Sequence, residues 1–288
     1  MDRVPSTDRR ARHAALIDCV SGSRYHFVLA LLRIVTGFIV WQHGAQTLFG
    51  MLGGSAAPPL TWPWLVGGVE FFGGMAIAVG VLTRPFALAI AVDMAVLYVT
   101  QFLPLGFPPI VNRQGEVACL LFNTNLLLAF TGPGRWSVDE AGRSPTVRIG
   151  ARTLLGDLGR HTPAVLGAVR IFMGLLFLSY GLRKMFGLLG GEAEVFLSLQ
   201  WFAGIVELFG GLALIAGLLT RWTAFLCSGQ MAFAYFINHN PRGFFPIENG
   251  GERAVLFCFF FLLVWVAGAG RWSVDGLRRS DSPGLVGT

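Results

Sequence analysis

The sequence predicts an all-α integral membrane protein made of two tandem four-helix transmembrane bundles in parallel orientation, eight spans in all. Three observations predict it. Apolar residues make up 54% of the 288 positions and charged residues only 13%, with a mean hydropathy of +0.62, a balance foreign to soluble domains. The apolar residues fall in unbroken runs, not in the short alternating segments of a membrane barrel. The second half of the chain also repeats the first. A soluble enzyme is excluded.

Residues 1–26 are polar and Arg-rich and read as a cytoplasmic N-terminal segment, with no cleavage site of a secretory signal after the first apolar run. The first unit, 27–140, places spans at 27–49, 62–82, 86–103 and 116–131. A cytoplasmic linker, 141–164, carries Gly142, Pro145, Gly150 and Gly156. The second unit, 165–277, places spans at 165–187, 199–219, 222–238 and 252–268, and 278–288 reads as a flexible tail. Each run lies near the roughly 17 to 25 residues that a spanning helix needs.

An offset of 137 residues brings Arg33, Gly37, Gly44 and Gly50 onto Arg170, Gly174, Gly181 and Gly187, Glu70 and Gly73-Gly74 onto Glu207 and Gly210-Gly211, and Thr83-Arg84 onto Thr220-Arg221. After one deletion, Glu116 meets Glu252, and Gly132 to Asp139 meets Gly268 to Asp275. Four spans per unit return the chain to its starting side, so the repeats are parallel. Fifteen basic residues lie on the side of the termini and linker and five on the other: Arg113, Arg183, Lys184, Arg242 and Arg253. The positive-inside rule makes the richer side cytoplasmic and the location the plasma (inner) membrane. The lipid bilayer is the expected partner; the clustered arginines follow no amphipathic helix, and nucleic acid is excluded.

Ionisable groups within a bilayer almost always face protein, so they are the candidates for a site. Glu70 lies roughly 12 Å below the outer surface at 1.5 Å per residue, on a helix face with Gly67, Gly73 and Gly74. Glu207 repeats it. These carboxylates read either as proton-accepting or ligand-binding groups or as helix locks. His43, roughly 9 Å deep, and Glu116, at the head of span four, complete an expected cavity in the outer half of the first bundle with Glu70. Catalytic roles are therefore expected at Glu70, His43 and Glu116. Arg33 and Asp93 reach matching depths and are expected to pair; with Gln230 in place of Asp93, the partner of Arg170 is expected to be an amide, a carbonyl or Glu207. Asn123, Lys184, Glu207 and Glu252 complete the intramembrane polar network, with Lys184 read as snorkelling to the outer rim beside Arg183. His43 and Asn123 have Tyr180 and Phe259 as counterparts, so the first unit is the better place for a polar site. No metal site is expected, since no second His or Cys stands at ligand spacing from His43, and the four cysteines form no C-x-x-C pair.

These residues resemble the DoxX-like family of four-helix membrane proteins. Its pattern has an early Arg in span one, a G-x-x-K-x-F-G end to it, an E-x-F-G-G second span ending in Thr-Arg, and a closing G-P-G-x-x-S-x-D. The second unit carries it as Gly181 to Gly187, Glu207 to Arg221 and Gly268 to Asp275, lacking only the proline, and the first unit has Thr47 in place of the lysine. The resemblance covers about 28–140 and 165–277. It implies a membrane subunit of a quinone-linked oxidoreductase system, since some relatives are associated with thiosulfate:quinone oxidoreductase and others with oxidative-stress complexes. Quinone is the cofactor so implied, and a redox protein the partner. The rival reading is a non-enzymatic membrane scaffold or small-solute carrier.

Overall fold

A computed structural model describes the backbone of residues 6–111, 113–141 and 156–280, and the side chains of 22–110, 115–141 and 158–277. Most of the expected linker, 142–155, and the end of the tail, 281–288, lie outside the described residues. Regular structure among the described residues is entirely helical. Eight main helices follow one another: α1 (Ser6–Phe49), α2 (Trp62–Val79), α3 (Thr83–Leu97), α4 (Arg113–Thr131), α5 (Thr162–Phe186), α6 (Leu199–Ala216), α7 (Thr220–Ala234) and α8 (Glu252–Ala267). Among the described residues, five stretches are long and apolar enough to cross a membrane: Gly22–Phe49, Trp62–Val79, Thr83–Leu105, Leu158–Phe186 and Leu199–Ala216. The apolar stretch of α4 is limited to Gly115–Thr131, and α7 and α8 have 15 and 16 residues. Both α3 and α7 run on through a π-helical turn, Tyr98–Phe102 and Tyr235–His239.

Glycine explains the tightest pairings, α1 with α2 and α5 with α6. A β-carbon on Gly37 would lie 2.5 Å from the Gly74 carbonyl oxygen, one on Gly74 2.5 Å from the Trp41 nitrogen, and one on Gly211 2.6 Å from the Leu178 nitrogen. Only glycine lets these backbones meet.

The repeated Gly-x-Gly-Arg-Trp-Ser-Val-Asp segment ties one end of each unit together. Helix α2 stops at Gly80 (φ 79°) and α6 at Gly217 (φ 66°), both left-handed. Two residues on, Leu82 (φ 47°) and Leu219 (φ 46°) take the same conformation, which costs a non-glycine residue about 1–2 kcal/mol. An aspartate from the closing segment offsets that cost. The Leu82 and Thr83 amides donate to Asp139 at 3.0 and 3.3 Å, and those of Leu219 and Thr220 donate to Asp275 at 2.9 and 2.8 Å. Each aspartate thus caps a helix remote in sequence.

The span-one arginine completes this clamp. Arg33 donates to the Pro133 and Trp136 carbonyls, both at 2.6 Å. Arg170 donates to Ala269 (2.8 Å), Ile215 (3.0 Å), Arg271 (3.4 Å), Trp272 (2.8 Å) and also Leu214. Both arginines are buried. The expected Arg33–Asp93 pair does not form, because the guanidinium is taken up by carbonyls of the closing segment. Main-chain dipoles at helix ends satisfy the charge where a carboxylate was expected to.

The two units do not stand apart as separate bundles. Helix packing runs in a closed circuit in which α4 lies on α5 and α8 on α1, and α4 also touches α8. These four are central: of an 18-residue apolar window in each helix, 61% is buried in α1 and 50% in α5, against 28% in α2 and α6 and 22% in α3. Phe177, Phe257, Phe260 and Phe261 fill the middle, whereas Phe72, Val92, Phe209 and Leu226 are exposed on the outer helices.

Replacing Arg170 with Leu strands at least four main-chain carbonyls. Since a hydrogen bond to a charged group contributes about 1.5–3 kcal/mol, Arg170→Leu should lower stability in detergent by about 3 kcal/mol or more. Asp275→Ala should cost about 0.5–2 kcal/mol, the usual loss of a cap. Thermal unfolding monitored by circular dichroism ranks the two.

Candidate functional site

At the end of the helices away from the clamps, two cavities lie side by side. The first, about 480 Å³, is lined by His43 and Gln46 of α1, Glu70 of α2, Met94 and Leu97 of α3, Phe102 of the π-turn, Leu121 of α4, and Glu252 and Arg253 of α8. The second, about 640 Å³, lies among α5, α6, α7 and α8 around Tyr180, Lys184, Glu207 and Gln230. His239, Arg242 and Arg253 border both.

The first cavity is held open by a contact between the two units. His43 Nε2 lies 2.8 Å from Glu252 Oε1, with His43 at 29% and Glu252 at 12% side-chain exposure. Glu70 is 7% exposed, and no described cation or donor is bonded to it. The amide of Ile247 donates to Gln42 Oε1 (3.2 Å), which fastens the loop before α8 onto α1. Of the expected trio, His43 and Glu70 share this cavity and Glu116 does not. The position at the head of the fourth span packs on the opposite unit, so Glu252 takes the place foreseen for Glu116.

Glu116 makes the reciprocal contact. Its Oε2 accepts from the Tyr180 hydroxyl at 2.7 Å and from Arg253 Nη1 at 3.3 Å, and Arg253 also donates to the Tyr180 oxygen at 3.1 Å. Its side chain is fully buried. Glu252 and Arg253, adjacent in sequence, thus face different partners: the imidazole of α1, and the Glu116–Tyr180 pair that joins α4 to α5.

In the second cavity the carboxylate is neutralised. Lys184 Nζ lies 2.7 Å from Glu207 Oε1, and the Gln230 amide donates to the same oxygen at 3.0 Å and to the Ala203 carbonyl at 3.1 Å. Lys184 therefore does not snorkel to the rim. A buried carboxylate with no other described cation draws the lysine inward, since an unpaired charge there would be costly. Asn123 donates to the Cys119 carbonyl of its own helix at 2.8 Å, and Asp93 Oδ2 is enclosed without a partner.

Tyr180, Arg253, Arg242 and His239 are functional candidates that reading the sequence left aside. Tyr180 was legible as the counterpart of His43, and Arg253 by its place beside Glu252. His239, whose Nδ1 lies 3.0 Å from the Asn249 carbonyl oxygen, stands in a π-turn that no local pattern announces. Among the described residues, no group of three or more His, Cys, Asp or Glu could hold a metal ion.

The family model of DoxX matches residues 28–102 and 165–240. Curated relatives include an uncharacterized protein of Haemophilus influenzae, 36% identical over 128 residues, 42% of this chain and 96% of the relative. A second is "Putative oxidoreductase CatD" of Bacillus subtilis, 30% identical over 107 residues, 35% of this chain and 77% of the relative. No solved structure matches.

Removing Lys184 alone leaves Glu207 buried without its cation, a change of the kind that costs about 3–5 kcal/mol. Lys184→Met should therefore destabilise the protein strongly, and adding Glu207→Gln should recover much of the loss. Additive effects of the two changes in thermal unfolding would show that the pair is not coupled.

Proposed function

The chain belongs to the DoxX family, and on that footing we propose that it is the membrane subunit of a quinone-linked oxidoreductase system whose first cavity receives the quinone or quinol ring. The observation that carries this reading is the pairing, in one cavity, of a buried carboxylate to which no described cation is bonded and an imidazole held by a second carboxylate. A bound quinone supplies the electron chemistry, and its reduction and reoxidation take up and release protons. His43 is suited to proton exchange near neutral pH, Glu252 orients it, and Glu70 accepts from a ligand hydroxyl. Met94, Leu97, Phe102 and Leu121 offer apolar wall to a ring, and 480 Å³ falls in the range of small-molecule pockets, roughly 300–1,000 Å³. The name of the Bacillus subtilis relative, a putative oxidoreductase, favours an oxidoreductase role. Oxidation of reduced sulfur compounds is the activity this reading gives the system, with a redox protein partner to pass electrons.

The same reading has α1 to α8 as eight spans in two parallel units, in the plasma (inner) membrane with both termini cytoplasmic. The basic residues support it, fifteen on the side of the termini and linker against five on the other. So does the Thr162 hydroxyl, which donates to the Phe130 carbonyl at 3.1 Å and brings the start of α5 to the end of α4. Both clamps then belong to one side. Carriage of a small solute is less well supported, because Phe177, Phe257, Phe260 and Phe261 are buried in the core among the inner helices.

Protein purified in native lipid should carry extractable quinone. Glu70→Gln and His43→Phe should each abolish quinone binding and reduction while folded yield is kept, and Glu207→Gln should be milder. Quinone-free, inactive wild type, or equal loss with misfolding in Glu70→Gln and Glu207→Gln, overturns the site and favours the scaffold. For topology, a cysteine introduced at Gly150 in a variant lacking the native cysteines should react with membrane-impermeant maleimide only from the cytoplasmic side. Labelling from outside sinks the eight-span arrangement.

A further inference from the structure

We infer that His239 is a second ligand-facing imidazole of the first cavity, with Nδ1 fixed as a donor to the protein and Nε2 left as an acceptor for a ligand hydroxyl, so that the ring makes the site favour a quinol over a quinone. The ligand clause rests on the quinone reading; the orientation of the ring does not.

His239 belongs to a turn whose frame is repeated and whose chemistry is not. The offset of 137 residues sets Tyr235, Pro241 and Gly243 on Tyr98, Pro104 and Gly106, but His239 on Phe102 and Arg242 on Leu105. Phe102 gives the first cavity apolar wall. His239, in the π-turn at the end of α7, brings a polar ring to that cavity from the opposite unit and borders the second cavity as well.

The protein around the ring decides which nitrogen does what. Nδ1 lies 3.0 Å from the Asn249 carbonyl oxygen. A carbonyl oxygen only accepts, so Nδ1 carries the proton of this bond. Asn249 is itself fixed: its side chain is buried, its amide donates to the Gly243 carbonyl at 2.8 Å and to the Tyr235 oxygen at 3.3 Å, and its side-chain oxygen accepts from the Gly251 amide at 2.8 Å. Tyr235 also stacks on the imidazole, with ring centroids 6.2 Å apart and planes inclined by 24°. In a neutral imidazole one nitrogen donates and the other accepts, so Nε2 is the acceptor, and among the described residues no hydrogen bond engages it. Arg242 and Arg253, which border both cavities with it, offer only donors, and these serve hydroxyl and carbonyl oxygens alike. A quinol presents hydroxyl protons, whereas a quinone presents carbonyl oxygens. Discrimination between the two therefore falls to the acceptors of the cavity, His239 and Glu70.

The test uses the full-length protein in detergent, with histidine labelled in nitrogen-15, at a mildly alkaline pH where an imidazole is neutral. Its nitrogen spectrum should hold an imidazole protonated on Nδ1 whose signals vanish in His239→Phe, a change that installs the residue of the first unit. Decylubiquinol, titrated without oxygen, should shift the Nε2 signal and bind about tenfold more weakly to His239→Phe, the scale of one lost hydrogen bond, while binding of decylubiquinone changes little. A tenfold loss confined to the quinol lowers the midpoint potential of the bound ligand by about 30 mV. His239→Asn keeps an N–H for the Asn249 carbonyl and lacks Nε2, so it should show the same loss and remains readable if His239→Phe does not fold. Glu207→Gln, in the second cavity, should leave the preference for quinol in place; its disappearance there would move the ligand to the second cavity and overturn the assignment. A ring protonated on Nε2, or equal weakening of quinol and quinone, also overturns it. Protonation on Nδ1 in a wild type that binds neither form sinks only the quinone reading.

Discussion

The reciprocal bonding of α4 and α8 to the opposite unit is the constraint on which the rest of the structure depends. Glu252 reaches back to His43, and Glu116 reaches forward to Tyr180. Among the described residues, charge that sits at the head of a helix and would be costly to bury alone is satisfied by the other half of the chain. The four inner helices must therefore pack as one body, with α2–α3 and α6–α7 as flanks. The cavities are the spaces between that inner body and the flanks. Their position follows from where the charges had to meet.

The two halves use the same frame for different ends. At the clamp end they share the same parts: an arginine on main-chain carbonyls, a glycine stop, a left-handed leucine and an aspartate cap. At the cavity end they diverge. The second half gives its buried carboxylate a lysine and an amide, and thus stability; the first gives its carboxylate an imidazole in the same cavity. Functional sites commonly retain such locally unfavourable groups while the surroundings supply the stability.

Much of this was legible in the residues. The repeat, the helix positions and the glycine faces follow from spacing, because spacing is what close helix packing requires. Asp139 and Asp275 were visible as parts of a boundary motif, but their capping of α3 and α7 was not, since a cap supplied from some 55 residues away leaves no local signature. Depth along a helix placed His43 and Glu70 together correctly. It failed for Arg33, Lys184 and Glu116, because depth says how far in a residue lies and not which neighbouring helix it faces. The exchange across the units could have been sought in one feature: His43 and Tyr180 occupy matching positions, and so do Glu116 and Glu252, so an exchange that satisfies one pair satisfies the other.

Joining the two units in one chain also has a consequence for symmetry. Two identical copies related by a two-fold axis must place the same side chain in both cavities; a lysine on one side entails a lysine on the other. Covalent tandem repeats are free of that rule. Here the stoichiometry of one lysine-bearing half to one histidine-bearing half is set by the peptide bond, and Arg253, with Val117 as its counterpart, stands in the wall between the two cavities without a twin. A change of charge in either cavity is felt at a boundary that belongs to both, so the asymmetry gives the molecule a direction that a symmetric pair lacks.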